Sequence, residues 1–126
     1  MAVELFRSGL LEGQAIVLAA GAGAYGDAAA DACAELGASV QLLGGASACS
    51  PPPGAGEHAE ATRAALENLA RTTSIEWARY AIRPTAVAPG DGTSAEEVAS
   101  LVAFLASPAG DYCSGCLFSL GEVAPA

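Results

Sequence analysis

Short apolar runs alternate along this chain with segments whose composition favours helices. Residues 14–19, QAIVLA, are a short and mostly apolar run, which predicts a strand buried on both faces. The Ala-rich segment 27–36 favours a helix, and Gly37 follows it as a helix-ending glycine would. Residues 39–43 then predict a second strand. The first third of the chain is therefore a predicted β-α-β unit.

A long helix over residues 58–80 is the best-defined element of the remaining chain. Small and apolar positions recur in it at helical spacing and predict one buried stripe, formed by Leu66, Leu69, Ala70, Thr73 and Trp77. Residues 82–88 predict the next strand. Within it, Pro84 removes one ladder donor, which favours an edge position or a bulge.

The C-terminal third of the chain predicts one more helix and one more strand. Ser94 and Glu97 have the spacing of a capping box, which starts a helix that runs to Leu105. Residues 115–121 predict the last strand.

A Gly/Pro/Ser-rich linker separates the two halves. Residues 44–57, GGASACSPPPGAGE, contain three consecutive prolines and favour an extended segment rather than a helix or a central strand. We therefore expect one domain over residues 1–126, with a β-α-β unit at 1–43 and an α-β-α-β unit at 58–126.

The turn after the first predicted strand contains the pattern G-x-G-x-x-G, with its glycines at Gly21, Gly23 and Gly26. Between a strand and a helix, this pattern lets backbone N–H groups approach a dinucleotide phosphate. Asp27 follows directly and would repel such a phosphate, although it suits the helix dipole. The three glycines are candidate cofactor-binding residues, and the alternative is a turn kept for close strand-helix packing.

Composition excludes some partners and favours others. The net charge is −9 and the five cationic residues are all Arg, so nucleic acid and anionic membranes are not expected partners. Hydrophobic residues make up 52% of the chain, a share that favours burial of some apolar surface against a partner. The chain has no apolar stretch long enough for a membrane span and no basic N-terminal signal region, so a cytoplasmic location is expected.

The four cysteines are candidates for metal or redox chemistry. Cys113 and Cys116 have C-x-x-C spacing. A strand-like run follows them rather than the helix that lowers the pKa of a redox cysteine. A zinc site would need Cys49 and His58 as further ligands. Buried structural thiols are therefore the prediction, without a metal site.

Residues 62–90, TRAALENLARTTSIEWARYAIRPTAVAPG, resemble the long helix and sixth strand of the short-chain dehydrogenase/reductase family. In that family the helix begins Tyr-x-x-x-Lys, and the Lys directly precedes an Ala-Ala-Leu run. The run at 64–66 sets the same register, which puts Arg63 at the Lys position and Ala59 at the Tyr position. The resemblance thus implies a member without its proton donor, and no catalytic residue is predicted.

Other charges on this helix are expected on its surface. Arg63 is interpreted as a solvated helix charge, paired with Glu60 or Glu67 at helical spacing. Glu67 and Glu76 are conceivable acid/base residues, but exposed helix charges are the preferred interpretation.

The resemblance also implies what has been lost elsewhere. The linker stands where family members have several more β-α units, which include the catalytic Ser and the Asn of the proton relay. The implied fold is a reduced Rossmann-like three-layer α/β sandwich with about four parallel strands, in the order 2-1-6-7 of the family's strand numbering. A gap filled by another chain is the alternative. Gly44 and Gly45 occupy the position that selects NAD or NADP, so no cofactor is expected, although NAD(P) is left open.

Three functions are compatible with these features. The preferred one is a non-catalytic subunit that assembles with a full-length short-chain dehydrogenase and stabilises it, because the 58–80 helix and the last strand build subunit interfaces in the family. The others are a reduced NAD(P)-dependent oxidoreductase whose site is completed in trans and a small nucleotide-binding module. A homo-oligomer through the same elements is the alternative assembly.

Overall fold

The computed structural model describes residues 6–18, 24–42, 59–90 and 92–121. Along these residues lie β1 (Ala15–Leu18), α1 (Ala24–Glu35), β2 (Ser39–Leu42), α2 (Ala59–Glu76), β3 (Ala86–Ala88), α3 (Ala95–Ala106) and β4 (Leu117–Ser119). Short 3-10 turns follow α2 at Ala78–Tyr80 and α3 at Pro108–Gly110. Both strand pairs, β1 with β2 and β3 with β4, are parallel. The predicted α/β class with parallel strands is therefore confirmed.

The strand order is confirmed at its two ends. The predicted order 2-1-6-7 requires β2 beside β1 and β3 beside β4, and both ladders are present. It also requires β1 beside β3, but among the described residues no ladder joins them, and the strands form two two-stranded sheets. Strand β3 has three residues. The Ala86 N–H donates to the Cys116 carbonyl, and the Ala88 carbonyl accepts from the Leu120 N–H. These backbone groups of β3 therefore bond to the β4 side.

The described residues divide into two compact units, the first of which contains β1, α1, β2 and α3. Its helices α1 and α3 pack against each other. The fully buried centre consists of Leu11, Cys33, Leu36 and Ala103. Ala29 and Ala32 of α1 and Ala99 of α3 are also buried. Small side chains on both helices allow this close packing.

Strand β1 is less buried than its composition predicts. Ile16 and Leu18 are half-buried and face the covered side, whereas Val17 is 58% exposed on the opposite side. The prediction of a strand buried on both faces was therefore wrong. An apolar run alone does not show how deeply each face of the strand is buried.

Local signals at helix ends were predicted correctly. Gly37 has φ +100°, and its N–H donates to the Ala34 carbonyl at 3.0 Å as the chain leaves α1. The Ser94 hydroxyl accepts the Glu97 N–H at 3.2 Å, while the Glu97 carboxylate accepts the Ser94 N–H at 2.8 Å. This reciprocal pair is the predicted capping box of α3.

The second unit contains α2, β3 and β4, with α2 packed against both strands. Ala70 and Thr73 of α2 are buried, as predicted. Leu69 and Trp77, however, are 57% and 42% exposed, so the predicted buried stripe was wrong at both positions. An 18-residue helix is about 27 Å long, whereas three-residue strands extend about 10 Å. The two strands are too short to cover the whole apolar stripe.

Candidate functional site

Residues 21–23 of the glycine turn lie outside the described residues. The role of Gly21 and Gly23 in binding a nucleotide therefore stays a prediction. Gly26 is described and is a buried residue within the first turn of α1. Asp27 follows it in the first turn of α1, where a negative charge suits the helix dipole, and its side chain is exposed.

The two positions that the resemblance assigns to the family's Tyr and Lys lie at the start of α2. Ala59 is the first residue of the helix, and Arg63 is one turn further along. An alanine carries no ionisable group and cannot donate a proton. A guanidinium stays protonated at every ordinary pH, so it cannot exchange one either. General acid–base chemistry at these positions is therefore excluded by the residue types.

Arg63 is buried in the second unit. Only 8% of the residue is exposed, and its Nη2 donates to the carbonyl oxygen of Pro89 at 3.1 Å. The interpretation of Arg63 as a solvated charge was therefore wrong. The helical spacing could have indicated the burial of Arg63, because positions 63, 66, 70 and 73 share one face of the helix. The acceptor lies 26 residues further along the chain, and no local pattern points to it.

The backbone that receives Arg63 follows the carboxyl end of β3, the end at which ligands bind in open parallel sheets. Ala88, Pro89 and Gly90 are all buried. The Gly90 N–H donates to the Thr93 hydroxyl at 3.0 Å, and the Thr93 N–H donates to the Gly90 carbonyl at 3.2 Å. The α-carbon of Gly90 lies so close to Leu120 that an added side chain would overlap the Leu120 carbonyl oxygen. Backbone groups thus fill the space beside this strand end.

Glu67 and Glu76 of α2 are surface charges. Glu67 pairs with Arg71 at 3.0 Å, and the two side chains are 45% and 65% exposed. Glu76, the last residue of the helix, is also exposed. Both observations confirm the preferred interpretation of these carboxylates. Glu67 thus has Arg71 as an ion-pair partner. The other predicted partner of Arg63, Glu60, has a side chain outside the described part of the chain, so that pairing stays a prediction.

The cysteines differ in their environments. Cys33 is fully buried in the first unit, and this burial raises the pKa of its thiol to about 11. Cys113 is half-buried and Cys116 is exposed, so the prediction of buried thiols was right for Cys33 and wrong for Cys116. Cys49 and His58 lie outside the described residues. Within the described part of the chain, no group of three or more His, Cys, Asp and Glu side chains is placed to hold a metal ion.

An exposed apolar surface covers the C-terminal end of α2 and the segment after it. We call it the α2 surface and define it by Ile75, Trp77, Tyr80 and Ile82. Ile75 and Tyr80 are its most exposed members, at 76% and 60%. The guanidinium of Arg79 lies over the Tyr80 ring at 4.9 Å. Ile75, Trp77 and Tyr80, together with Glu76 and Arg79, line an open groove.

The cofactor expectation stays a prediction, because Gly21 and Gly23 lie outside the described residues. At the position that the resemblance assigns to the Lys, the Arg63 guanidinium donates to the Pro89 carbonyl, and the assigned Tyr position is an alanine. Among the described helices, none combines the length and the apolar character that crossing a membrane requires.

These features define an α/β protein with a reduced Rossmann-like fold. One solved structure with a similar fold is the citronellol catabolism dehydrogenase AtuB of Pseudomonas aeruginosa PAO1, with a TM-score of 0.67. The match covers 91% of this chain and 96% of that chain, at 19% sequence identity. Such a likeness establishes a dehydrogenase-like fold. No protein-family model and no curated protein matches the chain.

Proposed function

We propose that this protein is a non-catalytic subunit that binds a full-length short-chain dehydrogenase and stabilises the assembled enzyme. The observation that carries this proposal is the hydrogen bond from Arg63 to the Pro89 carbonyl. It joins α2 to the end of β3 with the residue that stands at the family's Lys position. A position that carries chemistry in the family contributes packing in this chain.

The choice of partner rests on the α2 surface. Large apolar side chains exposed side by side favour burial against another protein, and Trp and Tyr are the residues that most often anchor such interfaces. In the family that the chain resembles, this helix packs against the same helix of a neighbouring subunit. A full-length dehydrogenase presents a matching helix, which makes it the partner proposed for this surface.

Charge favours a mixed pair over a pair of identical chains. Each copy has a net charge of −9, so two copies would repel each other, whereas a less acidic partner would not. Arg79 and Arg83 follow α2 and are exposed, whereas Arg71 is paired with Glu67. Arg79 and Arg83 are cationic groups that an acidic rim on the partner would complement. The proposed location of this assembly is the cytoplasm.

Co-expression with a full-length short-chain dehydrogenase from the same host tests the proposal. We expect the two chains to co-purify, and we expect the dehydrogenase to unfold at a higher temperature in the complex than alone. The Ile75→Glu variant should lose both effects. The matched control is Phe104→Glu, which places the same charge at an exposed apolar position of the first unit. Nicotinamide-dependent turnover by the purified chain alone would contradict a non-catalytic role.

A further inference from the structure

We propose that Cys113 and Cys116 form a dithiol–disulfide site that exchanges two electrons with low-molecular-weight disulfides. The two residues flank the turn that leads into β4. This site is independent of the dehydrogenase resemblance and of the α2 surface. Three features support the site: the conformation of the turn, the exposure of the thiols and the contacts that hold the turn in place.

The turn brings the two cysteines within the range of a disulfide. Ser114 and Gly115 are its two central residues, and Gly115 has φ +77°. A type II turn requires a positive φ of about +80° at this position. The α-carbons of the first and fourth residues of a β-turn lie less than about 7 Å apart. Disulfides span about 4.4 to 6.8 Å between α-carbons, so the bond needs little movement of the backbone.

The two thiols differ in accessibility, and this difference makes Cys116 the thiol that attacks first. Cys116 is exposed and can meet a disulfide in solution, whereas Cys113 is half-buried. The Cys116 sulfur lies 3.7 Å from the Ser114 carbonyl oxygen, so it already points back over the turn. Cys33 takes no part in this exchange, because it is fully buried and its raised pKa keeps its thiolate scarce.

The exchange proceeds in two balanced steps. In the first, the Cys116 thiolate attacks one sulfur of a disulfide such as oxidised glutathione, forms a mixed disulfide and releases one small thiolate. In the second, the Cys113 thiolate attacks the Cys116 sulfur and displaces the other small thiolate. Two protons pass from the protein thiols to the released thiolates or to solvent. The protein loses two electrons, and the small disulfide gains them.

Tertiary contacts hold the turn before any disulfide forms. The Gly115 N–H donates to the Pro84 carbonyl at 2.8 Å. A side chain added at Gly115 would overlap the Ser74 side chain of α2, which shows how closely the turn packs on that helix. The Cys116 carbonyl accepts the Ala86 N–H at 3.0 Å, at the start of the β3–β4 ladder. Because the fold maintains the turn, less chain entropy is lost on closing the ring than in the unfolded chain.

Equilibration with glutathione redox buffers tests this site. The full chain carries Cys49→Ser, so that the Cys49 thiol does not contribute. Acid-quenched intact masses and peptide maps should show a Cys113–Cys116 disulfide, with the loss of two hydrogens. The Cys113→Ser and Cys116→Ser variants should each stop at a single glutathione adduct. Cys33 should stay unmodified in all three proteins.

A comparison of folded and unfolded chains tests whether the turn favours closure of the Cys113–Cys116 disulfide. The equilibrium constant for closure should be at least about tenfold higher in buffer than in urea, because the folded chain holds the thiols near each other. Equal constants in the two conditions would overturn the proposal, since the spacing of the two cysteines alone would then explain closure. Accumulation of mixed disulfides without ring closure in the folded chain would also overturn it.

Discussion

Arg63 and Pro89 are joined by a hydrogen bond of 3.1 Å between a helix and the end of a strand, although 26 residues separate them in sequence. The guanidinium is buried and meets a backbone carbonyl that has left the ladder of β3. Charged donors make stronger hydrogen bonds than neutral ones, and they cost more when a partner is removed. This contact is therefore a main link between α2 and the strands of the second unit.

Arg63→Ala tests the energetic weight of that link. The substitution leaves the buried Pro89 carbonyl without this donor and should lower the free energy of unfolding by about 2 kcal/mol. Urea denaturation followed by circular dichroism measures the change. The matched control is Arg71→Ala on the same helix, whose exposed pair with Glu67 should contribute less than about 0.5 kcal/mol. Equal losses for the two variants would contradict a special role for Arg63.

Ile75→Glu tests whether the α2 surface is an interface rather than part of a core. Because Ile75 is 76% exposed, the substitution should change the free energy of unfolding of the isolated chain by less than about 0.5 kcal/mol. The same change should weaken binding to the dehydrogenase partner by at least about tenfold, since a buried charge without a partner is costly. Titration by calorimetry measures both wild type and variant. Unchanged affinity would place the interface elsewhere.

Gly90→Ala tests the close approach of the segment after β3 to the segment after β4. The added methyl group would overlap the Leu120 carbonyl, which should destabilise the chain by about 2 kcal/mol or more. Gly92→Ala is the control, because Gly92 has φ +75° and open space around it. Backbone strain alone should cost that variant about 1 kcal/mol. If Gly90→Ala were the milder of the two changes in thermal unfolding, the close approach would be refuted.

Cys33 makes stability fall at high pH. Burial raises the pKa of its thiol from 9.0 to about 11, so the folded chain keeps this proton where the unfolded chain has lost it. Stability from this group is complete below pH 9 and declines as the pH rises from about 9 to 11, because the unfolded state binds fewer protons there. Urea midpoints measured across this range should decline less for Cys33→Ala than for the wild type. Parallel declines would show that burial leaves this pKa unshifted.

Local chemistry made much of the fold predictable from the sequence. The capping box of α3 and the glycine that ends α1 depend on residues within four positions of each other, and both were found where predicted. The β-α-β unit followed from short apolar runs around an Ala-rich helix. The parallel pairing of β3 with β4 came from the resemblance rather than from any pattern in their residues.

Features set by distant contacts were not predictable in the same way. The exposure of Leu69 and Trp77 depends on how far the β3–β4 strands reach beneath α2, and strand length was overestimated for both. Residues 82–85 precede the ladder, and Pro84 contributes its carbonyl to the Gly115 turn. The burial of Arg63 required the position of Pro89, which the helical pattern does not contain. The burial of Arg63 therefore depends on tertiary structure, while its assignment to the family's Lys position, and that of Ala59 to the Tyr position, stay predictions from the resemblance.

Native mass spectrometry of the tagged protein, purified from its own host, tests the central claim most directly. The account predicts a mixed complex that contains this chain and a full-length short-chain dehydrogenase, and it predicts that Ile75→Glu abolishes that complex while Phe104→Glu preserves it. A monomer or a homo-oligomer alone, with no dehydrogenase bound, would contradict the proposed role as a non-catalytic subunit.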